Sequence, residues 1–223
     1  MTGTPLKLVL FDVDGTLVDS QGTIVACMAQ AFAAEGVIAP TREEILSIVG
    51  LSLPQALAQL APAQSEAVQA QIVEGYKIAY KATRERMGPD HSPLYPGARA
   101  CLEALHSVPE FLLGVATGKS QRGLDGLIDG HGLHMFVTRQ VADHHPSKPH
   151  PSMVLTALTE TGVQPEHCVM IGDTTFDMQM GRAAGVTTIG VDWGYHPSGR
   201  LDGDYLISDY SALLPLLNDI WKD

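Results

Sequence analysis

Cysteine is scarce: Cys27, Cys101 and Cys168 are the three in 223 residues, widely spaced and without a CxxC pair. Such a set builds neither a disulfide framework nor a cysteine zinc site, and it fits a reducing compartment. Long apolar runs are missing as well. The longest clean run near the start, Leu8–Phe11, falls far short of the ~20 residues that span a bilayer. Met1–Lys7 has neither signal-peptide nor transit-peptide character, so the expectation is a soluble, cytoplasmic protein with no membrane partner. Basic charge is short, with 14 Lys and Arg against 25 Asp and Glu and a net charge of −11. Nucleic-acid grooves are built from clustered Lys and Arg, so no nucleic-acid partner is expected. One absence is local: all fifteen aspartates lie outside residues 20–89.

What is present is globular. Apolar residues make up 45% and charged residues 17%, and a chain of this length buries roughly 70% or more of its unfolded surface without staples. The aspartate-free stretch is rich in Ala and Gln, and its apolar residues recur at helical spacing: Ile24, Met28, Ala31 and Phe32, then Val68, Ile72 and Ala79. Pro40, Pro54 and Pro62 divide it into about four helices. Elsewhere the pattern changes. Leu6–Phe11, Phe111–Ala116, Met135–Thr138, Cys168–Ile171 and Val186–Val191 are short apolar runs rich in β-branched residues. Helical stretches near Gly97–His106, Ser120–Asp129, Pro151–Thr161 and Phe176–Ala184 alternate with them, and Tyr205–Ile207 followed by Tyr210–Leu217 reads as a last strand and helix. Buried strands alternating with helices predict an α/β fold, a Rossmann-like doubly wound parallel sheet. The core is expected at residues 1–19 and 89–223, with a small inserted α-helical cap domain at residues 20–88.

Ligands of an open parallel sheet bind beyond the carboxyl ends of its strands. After the first strand stand Asp12 and Asp14, followed by Gly15. Two carboxylates at i and i+2 of an extended chain point the same way and need a shared proton or a cation, for which Mg²⁺ suits the oxygen ligands. After the second strand comes Thr117-Gly118-Lys119-Ser120, a hydroxyl and a glycine at a helix start. After the third lies Pro146-Ser147-Lys148-Pro149, with a lysine able to hold an anion. After the fourth comes Gly172-Asp173-Thr174-Thr175-Phe176-Asp177, with Asp173 expected at a helix cap and Asp177 one turn inside. Each group has an ordinary reading as a turn, cap or solvated lysine, but the ordered set is specific.

That set, with FDVDGTLVDS and GDTTFDMQMGRAAGV as its distinctive parts, resembles the haloacid dehalogenase superfamily over nearly the whole chain, the helical insert after the first motif included. By motif appearance the phosphoglycolate phosphatase-like group is the nearest. The resemblance implies a Mg²⁺-dependent phosphatase acting on a small phosphorylated metabolite, with phosphoglycolate one candidate. Asp12 would be the nucleophile that becomes an aspartyl-phosphate, and Asp14 the general acid and then base. Thr117 and Lys148 would hold the phosphoryl oxygens, with Gly118 beside them. Asp12, Asp173 and the backbone carbonyl of Asp14 would bind the metal, with Asp177 behind them. Dehalogenase and phosphonatase relatives lack the acid at the position of Asp14, so its presence points to phosphate ester chemistry. Relatives often have Gly-Lys-Pro where this chain has Ser147-Lys148-Pro149.

Within the insert, Val49-Gly50-Leu51-Ser52 matches a loop that relatives use for specificity, which makes Gly50 and Leu51 candidate substrate contacts. Gly50 reads equally as the end of a helix Glu43–Val49. Lys77, Lys81 and Arg84 share a helix face, either solvated beside Glu74 and Glu85 or turned to a second anionic group, and Arg122 is placed to reach the mouth of the pocket. Histidines 131, 134, 144, 145 and 150 lack the paired spacing of a zinc helix and read as solvated loop residues. The alternatives are a sugar phosphomutase or pyrophosphatase of the same superfamily and a catalytically silent phosphate-binding module. A signalling receiver domain is disfavoured, being about half as long and without the insert. Nothing in the sequence speaks to oligomeric state.

Overall fold

The computed structural model describes residues 5–222; Met1–Thr4, part of the segment read for a leader peptide, and Asp223 lie outside the described residues. The insert forms α1 (Gln21–Ala34), α2 (Arg42–Ser47), α3 (Leu53–Leu60) and α4 (Glu66–Met87). Thr41 starts α2 with a capping box: it accepts from the Glu44 N–H, and the Glu44 carboxylate accepts from the Thr41 N–H. Pro54 sits in the first turn of α3, where its missing N–H costs nothing. The four helices close on their own apolar cluster, which includes Met28, Phe32, Ile45, Leu57 and Ile72. The helix expected at Glu43–Val49 is shorter and ends at Ser47. Gly50 lies three residues beyond it at φ 103°, so it belongs to the loop rather than to the helix end.

The remaining helices are α5 (Ala98–His106), α6 (Gln121–His131), α7 (Ser152–Thr161), α8 (Thr175–Ala183) and α9 (Leu213–Ile220). They cover six strands: β1 (Lys7–Phe11), β2 (Phe111–Thr117), β3 (Phe136–Val141), β4 (Cys168–Gly172), β5 (Thr187–Val191) and β6 (Tyr205–Ile207). Every pairing is parallel and the order is β3-β2-β1-β4-β5-β6. This is the doubly wound α/β sheet that the alternating pattern predicts. Successive residues of the central strands feed opposite faces. Val9, Phe11, Val169 and Ile171 pack beneath α5, α6 and α9, whereas Leu8, Leu10, Cys168 and Met170 pack beneath α7 and α8. Burial on both faces explains why these strands read as continuous apolar runs.

β3 runs three residues further than its apolar stretch. Gln140 is buried there because its side-chain amide donates to the Thr138 hydroxyl (2.7 Å) and to Glu160 (2.8 Å), so hydrogen bonds replace apolar contact. The last helix starts at Leu213 because Tyr210–Ala212 forms a 3₁₀ turn. The two segments joining the helical insert to the sheet run side by side: the Asp19 N–H donates to the Pro93 carbonyl (2.8 Å) and the Tyr95 N–H to the Leu17 carbonyl (3.0 Å). The three cysteines are free and buried. Among the described residues no helix is long and apolar enough to cross a membrane.

The chain leaves β1 towards β2 and β3, then returns to place β4 on the other side of β1. The carboxyl ends of β1 and β4 therefore flank the point where the winding reverses, the usual ligand crevice of such sheets. Leu57 is fully buried at the centre of the helical insert. Leu57→Ala is expected to lower the unfolding free energy by about 2–5 kcal/mol in urea titration, the cost of an unfilled cavity. A loss below about 1 kcal/mol would contradict the close packing of that cluster.

Candidate active site

At the switch point the Asp12 N–H donates to the Ile171 carbonyl (2.8 Å), extending the β1–β4 ladder past the strand end. This brings Asp12 level with the end of β4, where Asp173 follows. Asp12, Asp173 and Asp177 each offer a carboxylate oxygen within 4.8 Å of the others, and all three are buried. Lys148 is fully buried among them, with Nζ 3.0 Å from Asp12 Oδ1 and 2.7 Å from Asp177 Oδ1. Asp173 accepts from the Thr16 hydroxyl (2.9 Å) and from the Tyr195 N–H (2.8 Å). Gly15, at φ 81°, is required here, because a Cβ would overlap the Asp173 carboxylate.

Asp173 is not the cap of α8. Thr174 is, in a capping box whose other half is Asp177: the Thr174 N–H and hydroxyl donate to Asp177 Oδ2 at 3.0 and 2.6 Å. The acid expected one turn inside the helix therefore holds both the helix start and Lys148. Burial pushes the Asp12 carboxyl well above the usual range, with Lys148 opposing the rise and Asp177 adding to it. Burial likewise raises Asp173, reinforced by the negative charges of Asp177 and Asp12. Burial works against the Lys148 ammonium, but Asp12 and Asp177 outweigh it and hold the lysine protonated.

Three buried carboxyl groups around one ammonium repel one another, so further positive charge is needed before all three are ionised together. Asp12 Oδ1 is engaged by Lys148 and by the Val13 N–H (2.6 Å), while Asp12 Oδ2 is the buried side-chain polar atom with no partner among the described residues. An oxygen-rich anionic cluster with an unsatisfied carboxylate oxygen fits a hard divalent cation such as Mg²⁺. Asp14 points elsewhere, so any part it has in binding the ion falls to its backbone carbonyl.

The Asp14 carboxylate accepts from Lys119 Nζ at 2.7 and 2.8 Å and from the Ser20 hydroxyl at 2.5 Å. Lys119 also donates to the Tyr80 hydroxyl (3.2 Å) and lies over the Tyr80 ring at 5.1 Å. Burial disfavours this ammonium, but Asp14 and Tyr80 more than compensate and keep it charged. Sequence reasoning passed over Lys119, Ser20 and Tyr80. The signal available was slight: one lysine two residues past the end of β2, inside a segment already read as a helix cap.

Asp12, Asp14 and Thr117 line one end of a cavity of about 360 Å³ between the sheet and the helical insert. Gly118, Gly50 and Leu51 line it too, and a Cβ on Gly118 would lie 2.6 Å from the Gly50 carbonyl oxygen and 2.8 Å from that of Leu51. The insert loop is thus seated directly on the loop after β2. Ser147, where relatives often have glycine, accepts from the Ser52 N–H (2.7 Å) and fastens the same loop from the other side. Lys148, Asp173 and Asp177 lie behind Asp12 rather than on the cavity wall. Lys77, Lys81, Arg84 and Arg122 line the cavity, with Lys77 and Lys81 beside Glu74 (2.6 Å) and Glu85 (3.6 Å). His144, His150 and His134 are exposed, as expected of loop histidines. His131 and His145 are not: His131 contacts the Ser92 carbonyl (2.9 Å), and His145 bridges Ser152 and Gln140 at 2.8 Å each.

A doubly wound parallel sheet with buried acids at its switch point and a helical insert after β1 is the architecture of a known class of hydrolases. The family model of haloacid dehalogenase-like hydrolases matches residues 9–191, and the chain belongs to that family. Among similar curated proteins is "Probable phosphatase IndB" of Dickeya dadantii, 36% identical over 200 residues and covering 87% of this chain and 84% of that protein. A phosphoglycolate phosphatase of Agrobacterium fabrum is 31% identical over 223 residues, covering 97% and 95%. The solved structure of a hydrolase from Pseudomonas syringae superposes with a TM-score of 0.84 at 25% identity, covering 97% of this chain and all of that one.

Removing the ammonium of Lys148 strands the acids around it. Lys148→Met is expected to cost about 3–5 kcal/mol of stability in urea titration at neutral pH without added divalent cation. A cost under about 1 kcal/mol would contradict a buried ammonium paired with Asp12 and Asp177.

Proposed function

We propose that this enzyme is a Mg²⁺-dependent phosphatase that hydrolyses a small phosphate monoester through an aspartyl-phosphate on Asp12. The observation that carries the reading is Asp12 itself. It stands at the base of a cavity, with one carboxylate oxygen held by Lys148 and Val13 and the other buried without a partner. A carboxylate so placed is oriented and desolvated, as a nucleophile requires.

Asp12 would attack phosphorus as the bond to the ester oxygen breaks, and Asp14, entering the cycle protonated, would give that oxygen its proton. Asp14 would then take a proton from water, whose oxygen attacks phosphorus, releasing inorganic phosphate and restoring Asp12. Lys119 and Ser20 fix the direction of the Asp14 side chain for both transfers. Thr117 lines the same end of the cavity, where its hydroxyl would meet a phosphoryl oxygen. Lys148, 3.0 Å from Asp12 Oδ1, would place positive charge beside any phosphoryl group bound to that residue. Mg²⁺, held by Asp12, Asp173 and the backbone carbonyl of Asp14 with Asp177 behind them, would offset repulsion between the nucleophile and an anionic phosphate. The helical insert acts as a cap, its loop at Gly50–Leu51 closing the cavity against Gly118.

Full-chain enzyme with Mg²⁺ is expected to release phosphate from one or more of a panel of phosphate monoesters, including phosphoglycolate, sugar phosphates and nucleotides. Chelation should stop the reaction, and Asp12→Asn should abolish it because a carboxamide is a poor nucleophile and metal ligand. Full turnover in Asp12→Asn would sink the mechanism. Binding of the ion is read separately: Mg²⁺ should raise the Tm of the unaltered chain and not that of Asp173→Asn.

A further inference from the structure

The cavity before Asp12 has three kinds of lining. Asp12, Asp14 and Thr117 form its reactive end. Met28, Ile48, Val49 and Leu51, all part of the buried cluster of the helical insert, form an apolar wall together with Tyr76. Because these side chains are anchored in a packed core, the wall is preformed. It favours ligand surface that also gains by leaving water. Basic residues line it as well, with Arg84 one helical turn beyond Tyr80, whose hydroxyl meets Lys119. Lys81 faces Glu85, and Asp143 accepts from the Gln121 N–H, but Arg84 and Arg122 have no carboxylate within ion-pair distance among the described residues. Arg84 donates from Nη1 to the Arg122 carbonyl (3.0 Å), which fastens α4 to the first turn of α6.

The volume, about 360 Å³, falls in the range of about 300–1,000 Å³ that encloses ligands of drug-like size. A two-carbon leaving group such as glycolate would leave most of the apolar wall uncovered. From this set of surfaces we infer that the substrate is the phosphate monoester of a ring-sized alcohol, apolar in its middle, with a second anionic group at its far end. That anion is received by the guanidinium groups of Arg84 and Arg122, whose forked donors suit carboxylate or phosphate oxygens. The inference rests on the phosphatase reading and narrows its substrate class.

Three esters of simple alcohols test it with the full chain and Mg²⁺: phosphoglycolate, benzyl phosphate and 4-carboxybenzyl phosphate. The kcat/KM for 4-carboxybenzyl phosphate should exceed that for phosphoglycolate by about tenfold or more, as expected when a preformed apolar wall is filled. It should also exceed that for benzyl phosphate, and Arg122→Ala, an exposed position, should erase that second preference. In the Asp12→Asn variant the same esters should raise the Tm in the same order, so selectivity is read without turnover. Phosphoglycolate preferred over both ring esters overturns the inference and leaves the phosphatase standing. Equal treatment of the two benzyl esters, or a preference that survives Arg122→Ala, overturns the assignment of the anion to the arginines. Absence of release from all three and from 4-nitrophenyl phosphate withdraws the phosphatase reading, and the inference with it.

Discussion

Three carboxylates and one ammonium buried at the meeting of β1 and β4 set the terms for the structure around them. Bringing these charges out of water is costly unless each finds partners, and the surroundings supply them. Thr16 and the Tyr195 N–H satisfy Asp173, the start of α8 satisfies Asp177, and Lys148 spans Asp177 and Asp12. Gly15 passes where any side chain would displace an acid. One oxygen, Asp12 Oδ2, is left out of this arrangement, and it belongs to the residue that faces the cavity. The same packing that satisfies three of the four groups leaves the fourth with an unpaired oxygen.

A second charged pair links the sheet to the helices. Lys119 and Asp14 are both largely buried, with Lys119 also held by Tyr80 of α4. Three further contacts converge on the same boundary. Gly50 and Leu51 rest on Gly118, the Ser52 N–H reaches Ser147, and His196 joins the Thr175 N–H to the Ser47 carbonyl at 3.2 and 3.0 Å. His196 is buried, which lowers its basicity, and a neutral ring matches this use: one nitrogen accepts and the other donates. Most of these are hydrogen bonds between neutral groups or loop backbones, a type of contact compatible with opening and closing at modest cost. The Lys119–Asp14–Tyr80 cluster differs because it connects the candidate acid directly to the helix that walls the cavity.

Much of the fold is legible in the chain because it arises from short-range rules. Strand residues alternate between two buried faces, so β1, β2, β4 and β5 appear as apolar runs, and the helices of the insert show their 3.6-residue spacing. Where long-range partners replace apolar contact, the signal fails. β3 continues through Arg139 and Gln140 because Glu160, twenty residues on, receives the Gln140 amide. α8 is capped by Thr174 rather than Asp173 because Asp173 is drawn to Thr16 and to the Tyr195 N–H.

The order of Asp12, Asp14, Thr117, Lys148, Asp173 and Asp177 after successive strands belongs to the sequence alone, and with the sheet pattern it determines both the class of fold and the family. Which charge meets which was decided only in three dimensions. Lys119 and Lys148 both follow strands and are equivalent on paper. Yet Lys119 pairs with Asp14 across 105 positions and Lys148 with Asp177 across 29. Local propensity carries no information about such pairs, because their energy exists only once the sheet order has brought the strand ends together and removed the water between them.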